Sequence, residues 1–173
     1  MEFFQHAMQL IYWTRWIPVK LSTKSRYGLR ALFDIAYNSG NMPAQVQDIS
    51  RRQAISPRYL EQIFQTLKRA GILKSKRGPQ GGYYLARPPA EITVLDVVKA
   101  TEGGIDLVEC GKGGRRKKDS CQFDGGCVTQ TVWDEATSRL SKYFSGLTLQ
   151  ALCELGRSMG IKQEQDHRFS YHI

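Results

Sequence analysis

From Leu21 onward the apolar residues fall into a helical rhythm. Tyr27, Ala31, Leu32, Ile35 and Ala36 recur at three- and four-residue intervals behind Ser22 or Thr23, either of which can cap a helix start. Asn38, Gly40, Asn41 and Pro43 stop that helix. A short second helix is predicted over residues 46–52, with Val46, Ile49 and Ala54 facing inward. Ser56 and Pro57 then give a strong start signal, because serine caps and proline is preorganised at the first helical position; the third helix runs to about Ala70. On it Leu60, Ile63, Phe64 and Leu67 share one stripe, and Ser56, Arg58, Glu61, Gln62 and Gln65 occupy the other side. Gly71 ends the helix, residues 72–75 read as a strand, and residues 83–86 read as its return.

A second unit begins near Ile92, where Thr93 caps a helix that reaches residue 100 or 101. After Cys127 a long pattern follows, with Val128, Val132, Ala136, Leu140 and Tyr143 or Phe144 at helical spacing and Trp133 widening the stripe. A small domain has little of its own chain to cover such a face. The pattern therefore predicts a dimerisation helix, the alternative being packing on its own domain. A short helix over residues 148–155 closes the fold. The expected organisation is an extension over 1–18, a first domain of helices and hairpin over 19–90, a joint and cysteine loop over 91–127, the dimer and closing helices over 128–161, and a polar tail over 162–173.

Charge sharpens this outline. The 173 residues carry net +9, and residues 19–90 alone hold 13 basic and 3 acidic side chains, net +10. Residues 91–109 carry net -4, and residues 110–127 net +3. A basic block followed by an acidic joint favours a polyanionic partner for the first unit, with nucleic acid foremost. A mean hydropathy of -0.42, with no apolar stretch near the roughly 18 residues a helical span needs, argues against an integral membrane protein. The apolar start of the chain (Phe3, Phe4, Leu10, Ile11, Tyr12, Trp13, Trp16, Ile17) lacks a cationic leader and a cleavage site. It is expected to be either a misplaced start, with Val19 as initiator, or an amphipathic extension that packs on a partner or a surface.

A short helix, a tight turn at residues 53–56 and a second helix with a polar face have the shape of a helix-turn-helix. A three-helix core with solvated faces would share that pattern. The segment Lys76, Arg77, Gly78, Pro79, Gln80, Gly81, Gly82 decides between them. A glycine-rich hairpin tip cannot fill a core, but it can bring amides and two cations to phosphates or into a minor groove. The fold class is thus mainly α, a winged helix-turn-helix with a two-stranded wing plus a long dimerisation helix. The candidate contacts to double-stranded operator DNA are Ser56, Arg58, Tyr59, Glu61 and Gln62 on the third helix, with Lys76, Arg77, Gly78, Gly81 and Gly82 on the wing.

Three stretches carry a family resemblance: Lys20-Leu21-Ser22-Thr23-Lys24-Ser25-Arg26-Tyr27, Ile55-Ser56-Pro57-Arg58-Tyr59-Leu60-Glu61-Gln62-Ile63 and Arg77-Gly78-Pro79-Gln80-Gly81-Gly82-Tyr83. Over roughly residues 20–156 the chain resembles the Rrf-two family of winged-helix transcriptional regulators. The resemblance implies a homodimer and a start near Lys20, which supports reading residues 1–18 as outside the working protein.

Four cysteines lie in the second half, three of them crowded as Cys110, ten residues, Cys121, five residues, Cys127. The clustering points to a reducing cytoplasm and to metal binding or redox sensing, not to a disulfide scaffold. The gaps are wide for a structural zinc knuckle. Three soft thiolates in a glycine-containing loop can wrap the irons of a small cluster. The resemblance points the same way, since family members that sense through a cluster use three cysteines here. The implied cofactor is an iron–sulfur cluster, 2Fe-2S or 4Fe-4S, on Cys110, Cys121 and Cys127.

Two departures bear on the fourth ligand. The first gap is lengthened by Gly111-Lys112-Gly113-Gly114-Arg115-Arg116-Lys117-Lys118, and Gln130 stands where iron–sulfur-sensing members have a histidine. Where nitric-oxide-sensing members take an acidic ligand from the other subunit, Arg26 stands here. Glu109, Asp119, Asp124 and Gln130 remain as candidates. The basic run from Arg115 to Lys118 is either a solvated loop or an added phosphate contact. Cys153, inside an apolar helix, is expected to be a small buried hydrophobe.

His6, His167 and His172 lie only near the termini, so no hydrolytic triad can form in the folded region. The GxxxxGK[ST] phosphate loop is missing, and strands flank the glycines of residues 78–82 where a dinucleotide fingerprint needs a following helix. The chain is therefore expected not to be an enzyme. The leading reading is a dimeric regulator sensing iron–sulfur status, redox state or nitric oxide through its cluster. The alternative is a cluster-free regulator controlled by a protein partner or a thiol switch. A nonspecific nucleic-acid packaging protein is a third class.

Overall fold

The structure, a computed structural model, describes residues 21–39, 42–108 and 127–164. The extension over 1–18, Cys110, Cys121, Glu109, Asp119, Asp124, the run from Arg115 to Lys118 and the end of the tail lie outside the described residues.

Helix α1 spans Thr23–Asp34 and continues as a π-helical turn over Ile35–Ser39. Ser22 caps it, its hydroxyl accepting from the Ser25 amide at 3.3 Å. Helix α2 covers Val46–Gln53 and α3 covers Pro57–Arg69, with Ser56 as cap and Pro57 at the first position. Ala31, Leu32, Ile35, Ile49, Leu60, Ile63, Phe64 and Leu67 are fully buried and form the centre of one core. Ala54 does not face inward as the periodicity predicts. It closes α2 with a left-handed backbone (φ 52°), which turns its side chain to solvent and gives the buried place to Ile55.

Strands β1 (Leu73–Lys76) and β2 (Gly82–Leu85) pair antiparallel, Leu73 opposite Leu85 and Lys76 opposite Gly82. The hairpin is tied to the helices at three points. Ala44 and Tyr83 exchange backbone hydrogen bonds of 2.8 Å, the Gln45 amide donates to the Pro79 carbonyl at 3.2 Å, and Lys68 donates to the Ser75 hydroxyl at 2.7 Å. Gly82 is required for the first of these: its φ is +150°, and a Cβ there would lie 2.3 Å from the Ala44 carbonyl oxygen.

Helix α4, Val94–Glu102, begins with a capping box in which Thr93 and Asp96 bond each other's amides at 3.1 and 3.0 Å. Its end is knotted to the start of α1. One oxygen of Glu102 accepts from the Ser22 amide and from the hydroxyls of Ser22 and Ser25, and Ser25 also meets Thr101. Burial works against the Glu102 charge, but these bonds from Ser22 and Ser25 and the nearby Lys24 prevail and hold the carboxyl below its usual range.

Helix α5, Val128–Ser145, packs against α4 and has no fully buried residue. Helix α6, Leu149–Ser158, is capped by Thr148 and returns to α1 and its π turn through buried Leu149, Cys153 and Gly156. A two-residue ladder closes the base of this excursion: Val94 donates to the Leu147 carbonyl at 2.8 Å and Leu149 to that of Ile92 at 2.9 Å. Among the described residues no helix is long and apolar enough to cross a membrane.

Inside the fold Asp34, with no exposed surface, takes both Nε and Nη2 of Arg52 at 2.6–3.1 Å and the Gln53 amide at 2.9 Å. Burial opposes the guanidinium charge, yet Asp34 outweighs it and raises the Arg52 pKa. Removing one partner of such a pair leaves an uncompensated buried charge. Arg52→Met should therefore cost about 3–5 kcal/mol in urea unfolding, whereas Asp34→Leu with Arg52→Met should recover most of the loss. Equal destabilisation in the single and double variants would contradict this account.

Candidate nucleic-acid interface

The start of α3 presents its polar side to solvent. Ser56, Arg58, Glu61 and Gln62 are exposed and Tyr59 is half-buried, because the opposite stripe is fixed in the core. Ser56 also has a structural duty, accepting from the Tyr59 amide at 3.4 Å. The last turn of α3 carries Lys68 and Arg69, charges that suit a helix C-terminus.

The wing lies beside this face. Phe64 of α3 packs on Tyr83 of β2 with ring centroids 4.6 Å apart. Burial first, and the Glu61 charge second, push the Tyr83 phenol up. Lys76, Arg77 and Gly78 are exposed at the tip. Gly81 is buried and Gly82 half-buried, and both shape the turn: a Cβ on Gly81 would stand 2.4 Å from the Lys76 carbonyl oxygen. The five α3 residues and the wing-tip residues thus sit on adjoining elements.

The orientation of α3 depends on residues that the periodicity did not single out. Arg30 donates to both the side chain and the backbone carbonyl of Gln53, and Asp34 holds Gln53 and Arg52. The signal was a carboxylate at Asp34 on the inward stripe, three residues after Ala31, where a charge is tolerated only with a partner. The Ser22, Ser25 and Glu102 knot joins residues about eighty apart in the chain and carries no local signal.

Of the three loop thiols only Cys127 lies among the described residues. It precedes α5 at the edge of a cleft of about 1040 Å³ that runs between the end of α4 and the start of α5, with Gln130, Asp106 and Asp134 also lining it. Its sulfur stands 3.1 Å from the Thr129 hydroxyl. That contact, with the backbone amide of Gln130, draws the thiol below its ordinary pKa. Gln130 is one turn further along the same helix. Among the described residues no three metal-ligating side chains converge. Cys153 is 2% exposed; burial pushes its thiol up, Arg157 opposing and Glu154 assisting.

A helix-turn-helix whose second helix shows a polar face, with a basic glycine-tipped hairpin alongside, defines the winged-helix DNA-binding regulators. The model of the Rrf2 family, described as an iron-dependent transcriptional regulator, matches residues 21–155, and the chain belongs to that family. It is 40% identical over 134 residues to the HTH-type transcriptional regulator IscR of Aliivibrio salmonicida (strain LFI1238), covering 78% of this chain and 77% of that one. The solved structure of T. potens IscR superposes with a TM-score of 0.65 at 33% identity, over 86% of this chain and 96% of that chain. CymR, the global cysteine regulator of B. subtilis, does so with 0.64 at 29% identity, over 80% and 98%. These relatives are transcriptional regulators and not enzymes.

The two described thiols should react very differently. In reduced, metal-free protein, iodoacetamide should modify Cys127 with a pH midpoint below that of an unperturbed thiol in a short peptide of the same local sequence, while Cys153 stays unmodified until the protein is unfolded. Peptide mass spectrometry across a pH series checks this. Equal labelling of both cysteines in the native state would overturn it.

Proposed function

We propose that this protein is a cytoplasmic homodimeric repressor or activator that binds a pseudo-palindromic operator and senses iron–sulfur status, redox state or nitric oxide through a cluster on Cys110, Cys121 and Cys127. The observation that carries the DNA part is the exposed polar face of α3, on a helix that the basic wing packs against through Phe64 and Tyr83. Ser56, Arg58, Tyr59, Glu61 and Gln62 act at base edges in the major groove. Arg77 enters the minor groove, Lys76 meets phosphate, and Gly78, Gly81 and Gly82 let the wing backbone approach closely.

The dimer reading is supported by the uncovered side of α5. Val128, Val132 and Tyr143 are 83%, 60% and 63% exposed, a self-complementary seam for a second copy. What supports the cluster is the chemistry of three soft thiols in one loop, together with Cys127, the one described thiol of the three, which lines a roomy cleft at a helix start and whose pKa is lowered by Thr129 and the Gln130 amide. When bound, the cluster supplies iron and sulfide that oxidants and nitric oxide attack. Gln130 is the described candidate for the fourth position, one turn from Cys127. The relatives named IscR and the family's iron-dependent description support this assignment. The likeness to CymR supports a second reading, a cluster-free regulator controlled by a protein partner or a thiol switch.

One titration separates the two. Anaerobic holo protein, apo protein and Cys121→Ala are compared on the same operator duplex at one salt concentration. The cluster reading expects visible absorption that Cys121→Ala abolishes and different affinities for holo and apo forms, since a ligand shifts an equilibrium only by its differential affinity. A colourless protein with identical affinities transfers the assignment to the cluster-free reading. In the same assay Glu61→Ala should change operator preference by about 1–3 kcal/mol at the affected base pair. An unchanged ranking of operators would remove α3 from the major groove.

A further inference from the structure

Beside α3 the surface carries a second cationic element, on α1. Arg26 and Arg30 stand one helical turn apart, both exposed, and their guanidinium carbons lie 5.9 and 5.5 Å from the centroid of the Tyr27 ring. Tyr27 meets Tyr59 of α3 edge-on, with centroids 6.0 Å apart. The cluster is therefore continuous with the face assigned to base reading. It is also preorganised, since cation–π contact restrains both guanidinium groups and Gln53 holds Arg30 at Nε and Nη2.

The charge placement runs against what helix stability alone favours. The positive end of a helix dipole favours anions, but the first turns of α1 contain Lys24 and Arg26 and no acidic residue. Like charges at i and i+4 repel, and Arg26 and Arg30 have that spacing. The carboxylate at this end, Glu102, is engaged by Ser22 and Ser25. Among the described residues no carboxylate forms an ion pair with Arg26 or Arg30. An anion seated against the pair would relieve the repulsion that the fold leaves in place, and local rules are broken in this way where function requires it.

The geometry points to a phosphate clamp: Arg26 and Arg30, steadied on Tyr27, grip backbone phosphates of the duplex next to the base pairs that α3 reads. The clamp rests on the operator-binding reading and adds α1 to it. It fixes register and affinity and carries no sequence information of its own.

The test is a fluorescence-anisotropy titration of the full chain over a salt series. The probes are a duplex selected by the wild-type protein from a random library and a shuffled version of it. Arg26→Gln should weaken both duplexes by the same factor, about ten- to a hundredfold near 0.1 M salt, and should lower the slope of log K against log salt by about 1.8, because each protomer of the dimer loses one phosphate contact worth about 0.9. Arg26→Lys should keep the wild-type slope, and thermal unfolding should show both variants folded. A wild-type slope and affinity in Arg26→Gln would overturn the clamp, as would a changed ranking of duplexes, which would make Arg26 a base reader. Wild-type protein that binds both duplexes alike would instead refute the operator reading, while the slope would still report on the clamp.

Discussion

The buried pair of Asp34 and Arg52 ties the interior of α1 to the turn that launches α3, and the proposed DNA-binding surface depends on that tie. Taking a carboxylate and a guanidinium out of water is costly, and the cost is offset here by two-pronged hydrogen bonding and by a third donor from Gln53. The same Gln53 offers its carbonyl, one of the unpaired acceptors at the end of α2, to Arg30. A chain of contacts thus runs from the interior of α1 to the turn between α2 and α3. Within that turn Ala54 takes a left-handed backbone, Ile55 drops into the core and Ser56 caps α3. An apolar pair at 34 and 52 would pack, but it would leave the turn without this directional hold.

The wing is equally constrained. Tethers through Ala44, Gln45 and Lys68 make it a third strand-like layer on the helices, not a free arm. Preordering of this kind lowers the conformational entropy lost on binding a rigid partner such as a duplex. The contact between Phe64 and Tyr83 joins the wing to the buried side of α3.

Much of this was legible in the sequence because it is local. Stripe periodicity gave α1, α2, α3 and α5 with small errors at their ends, and Ser22, Ser56 and Thr93 cap where their chemistry requires. The glycines at 78–82 gave the wing. The error at Ala54 arose because a residue one step beyond a helix keeps its place in the periodic pattern after the backbone has changed hand. The Asp34 network and the Glu102 knot were not legible, since they join side chains distant in the chain through tertiary packing. The tyrosine and arginine cluster was hidden for a related reason: Tyr27 belongs to the apolar stripe of α1 and shows its second role only when Tyr59 arrives beside it.

The ladder that pairs Thr93 with Thr148 gives the second half of the chain a particular architecture. The segment between those two residues therefore starts and ends on paired backbone, while α4 and α6 themselves pack on the core through Val97 and Leu149. Closing a loop costs entropy that rises only with the logarithm of its length, and doubling the length adds about 0.6 kcal/mol. Additional residues between Cys110 and Cys121, such as the glycine and basic run in this sequence, therefore carry little thermodynamic penalty for the helix-turn-helix and the wing. The length of this segment is thus set apart from the contacts that hold the helix-turn-helix and the wing together.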